Sequence, residues 1–263
     1  MRLAGRLIAT VLSVIVAAVA VYGCVRATEW LRDRDAFGLL QREPDQPVRL
    51  TTIDPYTREV AGKHWFGDYF VTMVLSPGTG SDAHPRIVTR WERRKVTVAL
   101  LDDGGPGVRS YVHLLLRRLD RLQDQVDFKL GAAHPLITIE LLDHATYVRE
   151  NDADSVGDTK TRYYAGAAGL ISASISVDVG VQDTPDAVKS TLIHELTHAI
   201  GASGHFFSPS DRRHSVMYKA NTLTTWSQND AAVIRVLYSP FIRSGMSEAA
   251  ARAGLRKYAR AGK

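Results

Sequence analysis

The sequence predicts an α+β domain behind an N-terminal membrane anchor, built as a small twisted sheet with one long histidine-bearing helix and a C-terminal helix. Three observations lead there. With 45% hydrophobic and 23% charged residues over 263 positions, the chain has the composition of one that buries a core. Its length suits one main domain with extensions. Segments of β-branched residues are interspersed with helical apolar stripes, the pattern of a sheet covered by helices.

The anchor comes first in the chain. Arg2 and Arg6 precede an apolar run from Leu7 to Val21, and such a run directs everything after residue 26 out of the cytoplasm. Two forms fit. Gly23-Cys24 resembles a bacterial lipoprotein signal with Cys24 as the lipidated residue. Alternatively Leu7 to Val25, 19 residues, stays uncleaved as a span, for which about 20 apolar residues are enough. Residues 27–58 carry charges and Pro44, Pro47 and Pro55 without apolar periodicity, the composition of a flexible tether.

The folded domain is expected over 59–243. The pairs Trp65/Phe66, Tyr69/Phe70 and Met73/Val74 recur every four residues and predict a helix ending before Pro77-Gly78. Lys95 to Leu101 and Leu136 to Leu142 read as strands, with a helix between them marked by Val108, Val112, Leu115, Leu119 and Leu122. From Ile171 to Val179 apolar residues alternate with Ser172, Ser174, Ser176 and Asp178, which predicts a half-buried strand. Residues 244–263 form a basic helical tail containing Arg252, Arg256, Lys257, Arg260 and Lys263. That cluster accounts for much of the excess of 33 basic over 28 acidic residues and reads as a solvated helix end or a contact for an anionic surface. No nucleic-acid site is indicated.

With a single cysteine, Cys24, the chain has no internal disulfide, and any metal in the domain must be held by His, Asp or Glu. The chemistry concentrates on one helix. Asp183-Thr184-Pro185-Asp186 supplies its cap, its first-turn proline and an acid at the positive end of the dipole. Gly201 ends it. Val188, Leu192 and Leu196 step by four to form a buried face, which turns His194 and His198 away from the core. Those histidines lie one turn apart, the spacing at which two imidazoles share a zinc ion. Glu195 is offset from the pair, as a general base acting on a metal-bound water requires.

With Gly201, His205 and Ser215-Val216-Met217-Tyr218 added, the sequence resembles the metzincin clan of zinc peptidases, whose signature is His-Glu-x-x-His-x-x-Gly-x-x-His followed by a methionine turn. His194, Glu195, His198 and Gly201 match in place, and Met217 would be the methionine of the turn. The third ligand would fall at Gly204, whereas the histidine is one residue later, at His205. A left-handed Gly204 would absorb the extra residue. Asp211 and His214 are the reserve ligands. Ser227-Gln-Asn-Asp230 followed by Ala231 to Tyr238 resembles the clan's C-terminal helix. Arg90-Trp91, Leu237-Tyr238-Ser-Pro240 and Gly245-Met246-Ser247 resemble, more closely, a bacterial envelope family of unknown function with a metzincin-like zinc-binding helix that is often degenerate.

The resemblance implies a metzincin-like zincin fold and a Zn2+ cofactor on His194, His198 and His205, with a metal-bound water brought from a pKa of 15.7 to about 7 and Glu195 as the catalytic base. Gly201 and Met217 would support the site. The implied partner is a peptide or protein substrate, or a cell-wall peptide, bound outside the cytoplasm by an enzyme held to the membrane through its N-terminus. The strand Gly169 to Val179 would then be either the exposed edge that pairs with an extended substrate or an interior strand. The alternative is a non-catalytic envelope protein whose zinc site is structural or vestigial and whose surface binds a cell-wall or protein partner.

Overall fold

The computed structural model describes residues 54–75, 86–101, 105–131, 133–151, 154–164, 167–207 and 215–261. The N-terminal apolar run with Cys24, and the reserve ligands Asp211 and His214, lie outside them. Among the described residues no helix is long and apolar enough to cross a membrane.

The centre is a five-stranded mixed sheet of order β2-β1-β3-β5-β4. Strands β1 (Lys95–Leu100), β2 (Asp127–Leu130), β3 (Ile137–Leu142) and β5 (Ala167–Asp178) run parallel, and β4 (Gly157–Tyr164) runs antiparallel to β5. The serine alternation in β5 does what its pattern implies: Ala173, Ile175 and Val177 are buried, while the intervening serines stay half-buried. Its place in the sheet decides between the edge and interior readings. The strand running to Val179 is interior, hydrogen-bonded on both sides, and the antiparallel edge is β4.

Among the described residues there are seven helices: α1 (Pro55–Ala61), α2 (His64–Leu75), α3 (Gly105–Leu122), α4 (His144–Glu150), α5 (Pro185–Ala199), α6 (Gln228–Leu237) and α7 (Glu248–Arg260). The first begins inside the stretch read as tether, because Asp54 caps it through Thr57 and Pro55 occupies its first turn. α5 starts at the expected cap, with Thr184 accepting from the Ala187 N–H at 3.1 Å. α7 is no loose tail, since Ala251, Gly254, Leu255 and Tyr258 are buried against the preceding helices.

Three elements lack a strong sequence signal. β2 is four residues long with Phe128 alone fully buried. α4 buries only Tyr147, so it has no stripe, and Asp143 caps its start by accepting from Thr146 N–H. β4 alternates half-buried Thr159, Thr161 and Tyr163 with exposed Lys160 and Arg162, a polar edge strand whose only cue is its β-branched and aromatic content.

Arg90 and Trp91, which precede β1, explain why these side chains sit where they do. The Trp91 indole donates to Ala199 O at 2.9 Å and the Tyr238 hydroxyl to Ile200 O at 2.8 Å, so both satisfy carbonyls orphaned at the C-terminus of α5. Arg90 donates to Leu237 O (2.7 Å) and Ser239 O (3.1 Å) and grips both Glu92 oxygens, at 3.0 and 3.1 Å. Burial by itself would raise the Glu92 carboxyl, but the guanidinium and the Ser244 N–H outweigh it and hold it below the ordinary glutamate range. The folded carboxyl is therefore the stronger acid. Its stabilisation is full above the ionisation of a free glutamate, about 4.3, and is lost as pH falls through the lower folded value. Glu92→Gln should cost about 1–3 kcal/mol near neutrality by leaving the buried guanidinium half-paired. In urea titrations that difference should hold from pH 7 to about 5 and shrink below the free-glutamate value; a difference that grows on acidification would be the wrong sign.

Candidate metal centre

The helix α5 is buried more completely than its four-residue stripe implies. Leu192, Ile193, Glu195, Leu196, Thr197 and Ala199 are all buried, and His194 is 9% exposed. The histidines therefore do not face away from the core. They face a second layer, made by the chain that returns after the helix.

Gly201 begins that return. It has φ of +109°, and a side chain there would collide with the Thr89 carbonyl oxygen, so only glycine lets the helix stop against the strand-side backbone. Gly204, by contrast, is not left-handed. The residue in excess of the motif is taken up instead by an extended return tied to α2, where Gly204 N–H donates to Met73 O at 3.0 Å and Ser203 Oγ to Val74 O at 3.0 Å.

His205 arrives from this segment opposite the two helical histidines. The Nε2 atoms of His194 and His205 are 3.1 Å apart, those of His198 and His194 3.2 Å, and those of His198 and His205 3.0 Å. The other ring nitrogens explain what those atoms carry. His194 Nδ1 donates to Val216 O at 2.7 Å and His198 Nδ1 to Ala202 O at 2.6 Å. A carbonyl can only accept, so the protons of these neutral rings sit on Nδ1 and the lone pairs on Nε2. Burial, followed by the neighbouring imidazoles, lowers His194 to about 4 and holds His198 well below the usual histidine range. His205 is lowered by burial and by Lys219. The lone pairs of His194 and His198 thus converge within 3.2 Å of each other, with His205 Nε2 beside both. For an ion about 2.0–2.1 Å from each nitrogen in tetrahedral geometry, the nitrogens lie about 3.3 Å apart, and the triangle observed fits. Among the described residues this is the one cluster of three side chains able to share a metal ion.

The methionine turn is the floor of the cluster. Ser215, Val216 and Met217 are fully buried. Val216 O orients His194, and Met217 O accepts from Phe206 N–H at 3.0 Å, which pins the residue beside His205. Met217 is thus joined through its backbone to the segment that carries His205. The turn is in turn held by Asp230, a residue sequence reasoning placed only in a helix cap. Its carboxylate accepts from Tyr69 Oη and Ser215 Oγ (both 2.8 Å), Val216 N–H (3.0 Å) and Ser227 N–H (3.1 Å). Burial raises Asp230, with those four donors opposing.

Glu195 points to the edge strand. Thr159 Oγ1 lies 2.6 Å from Glu195 Oε2 and 3.1 Å from Glu195 O. At Gly157 a Cβ would come within 2.6 Å of Glu195 Oε1. Burial pushes the glutamate up to about 8, with the Thr159 hydrogen bond opposing and Asp158 adding to the rise. Neither Gly157 nor Thr159 was legible as a site residue, because their relevance depends on where β4 is laid over α5.

No protein-family model and no curated protein matches this chain. Among solved structures it is similar to that of Myroilysin, with 17% identity, a TM-score of 0.27, and coverage of 60% of this chain and 63% of that one. The chain thus spans less than two thirds of that structure, and a likeness so slight transfers neither fold nor activity. What the coordinates define is a mixed α/β domain with a three-histidine candidate metal centre.

Metal binding should follow the triangle. One equivalent of zinc is expected per chain, with His198→Ala abolishing stoichiometric uptake and His205→Ala weakening it by at least about tenfold, since each removes one of three ligands. Metal analysis after dialysis, with titration against a chromophoric chelator, measures both. Unchanged uptake by His205→Ala would move the third ligand elsewhere.

Proposed function

We propose that the protein is an extracytoplasmic, metzincin-like zinc endopeptidase, with His194, His198 and His205 as ligands and Glu195 as general base. The observation that carries the reading is the triangle of Nε2 atoms on His194, His198 and His205, with the carboxylate of Glu195 on the helix beside them. Three imidazoles at tetrahedral spacing suit zinc among the first-row metals. Zinc held there would supply the Lewis acidity that polarises a scissile carbonyl and acidifies a water.

The chain's own groups supply the rest. Glu195 takes the proton of the attacking water as the new C–O bond forms, then delivers it to the amide nitrogen as the C–N bond breaks. Thr159 orients the carboxylate through Oε2. The missing side chain at Gly157 lets the β4 backbone approach Oε1 closely. An extended peptide would add to the outer side of β4, on which no described strand pairs, and so lie along the strand that touches Glu195. Export rests on Arg2, Arg6 and the apolar run to Val25.

One observation favours the non-catalytic alternative, an envelope protein with a structural metal site. Glu195 is 5% exposed and covered by β4, so the carboxylate is occupied internally. The two readings separate on one substitution. Glu195→Gln should keep the metal and lose at least about a hundredfold in cleavage of an unstructured protein, the scale of a general base. Wild-type turnover in that variant, or none in either protein, leaves the binding-protein reading in place. Thr159→Val should lower kcat by about tenfold at unchanged zinc affinity, with Thr159→Ser restoring it, because only the hydroxyl is needed to orient the base; equal loss in both variants would assign Thr159 to packing alone.

A further inference from the structure

Away from the histidines, α1 and α7 enclose a cleft of about 610 Å³ lined by Pro55, Arg58, Glu59, Gly62, Arg256, Ala259 and Arg260. Three arginines line this space with a single acid, and Arg58 already has an interaction of its own, so the cations left open are Arg256 and Arg260. The neighbouring acids are committed elsewhere. Asp54 accepts from Thr57 and pairs with Arg235 at 3.6 Å. Asp68 and Glu248 both hold Arg252, at 2.9 Å each. Arg256 and Arg260 are exposed and have no partner among the described residues. Lys63, beside the lining residue Gly62, and Lys257, beside Arg256, are exposed as well. On α7, Arg256, Lys257 and Arg260 fall within a sector of about 100°, while the opposite face is buried. The charges are therefore displayed by a packed helix and not by a frayed end.

We infer that this cleft is a binding site for the headgroups of anionic phospholipids and docks the domain against a bilayer. Arginine forks bind phosphate oxygens two at a time, and clustered cations at a membrane surface are the usual reader of anionic lipid. The connectivity selects lipid over a soluble anion. Pro55, the first residue of α1, is part of the cleft wall, so the chain enters the domain there, downstream of the apolar run Leu7 to Val25. This rests on the membrane anchor proposed above, which would keep the domain near headgroups at high effective concentration.

The test uses the full chain with an excess of nanodiscs, made either of phosphatidylcholine or of phosphatidylcholine mixed with phosphatidylglycerol, and reads backbone hydrogen exchange. Exchange in α1 and α7 should slow several-fold in the anionic discs only, with β3 and β5 unchanged, and the effect should fade as salt is raised. Arg256→Glu/Arg260→Glu should remove the difference. The milder Arg256→Gln/Arg260→Gln should reduce it by about fivefold per cation, the scale of one basic residue at an anionic surface, and guards against misfolding of the charge reversal. Equal exchange in the two discs, or lipid-dependent protection that survives both double variants, would overturn the site. So would equal protection by inorganic phosphate or soluble polyphosphate in neutral discs, which would make it a receptor for a free anion or polymer.

Discussion

The carboxylate of Asp230 is the contact on which the metal centre depends. It is fully buried at the start of α6, and a lone carboxylate taken from water costs several kcal/mol. Four donors offset that cost, and they come from three places: Tyr69 on α2, Ser215 and Val216 in one turn, and Ser227 at the helix cap. Because the donors are scattered along the chain, satisfying one group locks them together. The same residue, Val216, gives its N–H to Asp230 and its carbonyl to His194. The turn cannot relax without releasing the imidazole.

A second constraint acts from above. Edge strand β4 lies against α5 closely enough that Gly157 has no room for a side chain over Glu195 and Thr191, while Thr159 bonds both the side chain and the backbone of the glutamate. Thr191 is tied through Gln182 to Asp178 O at the end of β5. Glu195 is therefore positioned by the edge strand and His194 by the turn, so two separate parts of the fold shape the candidate centre.

Much of this was legible before any coordinates. Strong four-residue stripes marked α2 and α3, β-branched runs marked β1, β3 and β5, and the Thr184 and Ser227 caps marked the starts of α5 and α6, since each is a local signal with a local cause. The weak elements escaped for the opposite reason. β2 and α4 bury one side chain each, and β4 is polar on both faces. The serine-rich strand was readable as half-buried, but its neighbours were not, because alternation reports which face is covered and says nothing about which strands lie alongside.

What the sequence by itself determined was the donor set: two imidazoles one turn apart with a carboxylate between them, a glycine where the helix must stop, and a third histidine close enough in the chain to return. Helical geometry forces the first two together, and no folding is needed to know it. Only the tertiary structure decided that His205 closes the triangle through an extended segment pinned to Met73, with no left-handed Gly204. It also decided that Asp230 anchors the turn, that Thr159 holds Glu195, and that three arginines from opposite ends of the domain share one cleft. Each of these joins residues far apart in the chain, and such contacts are fixed by the packing of the whole core, which no local pattern encodes.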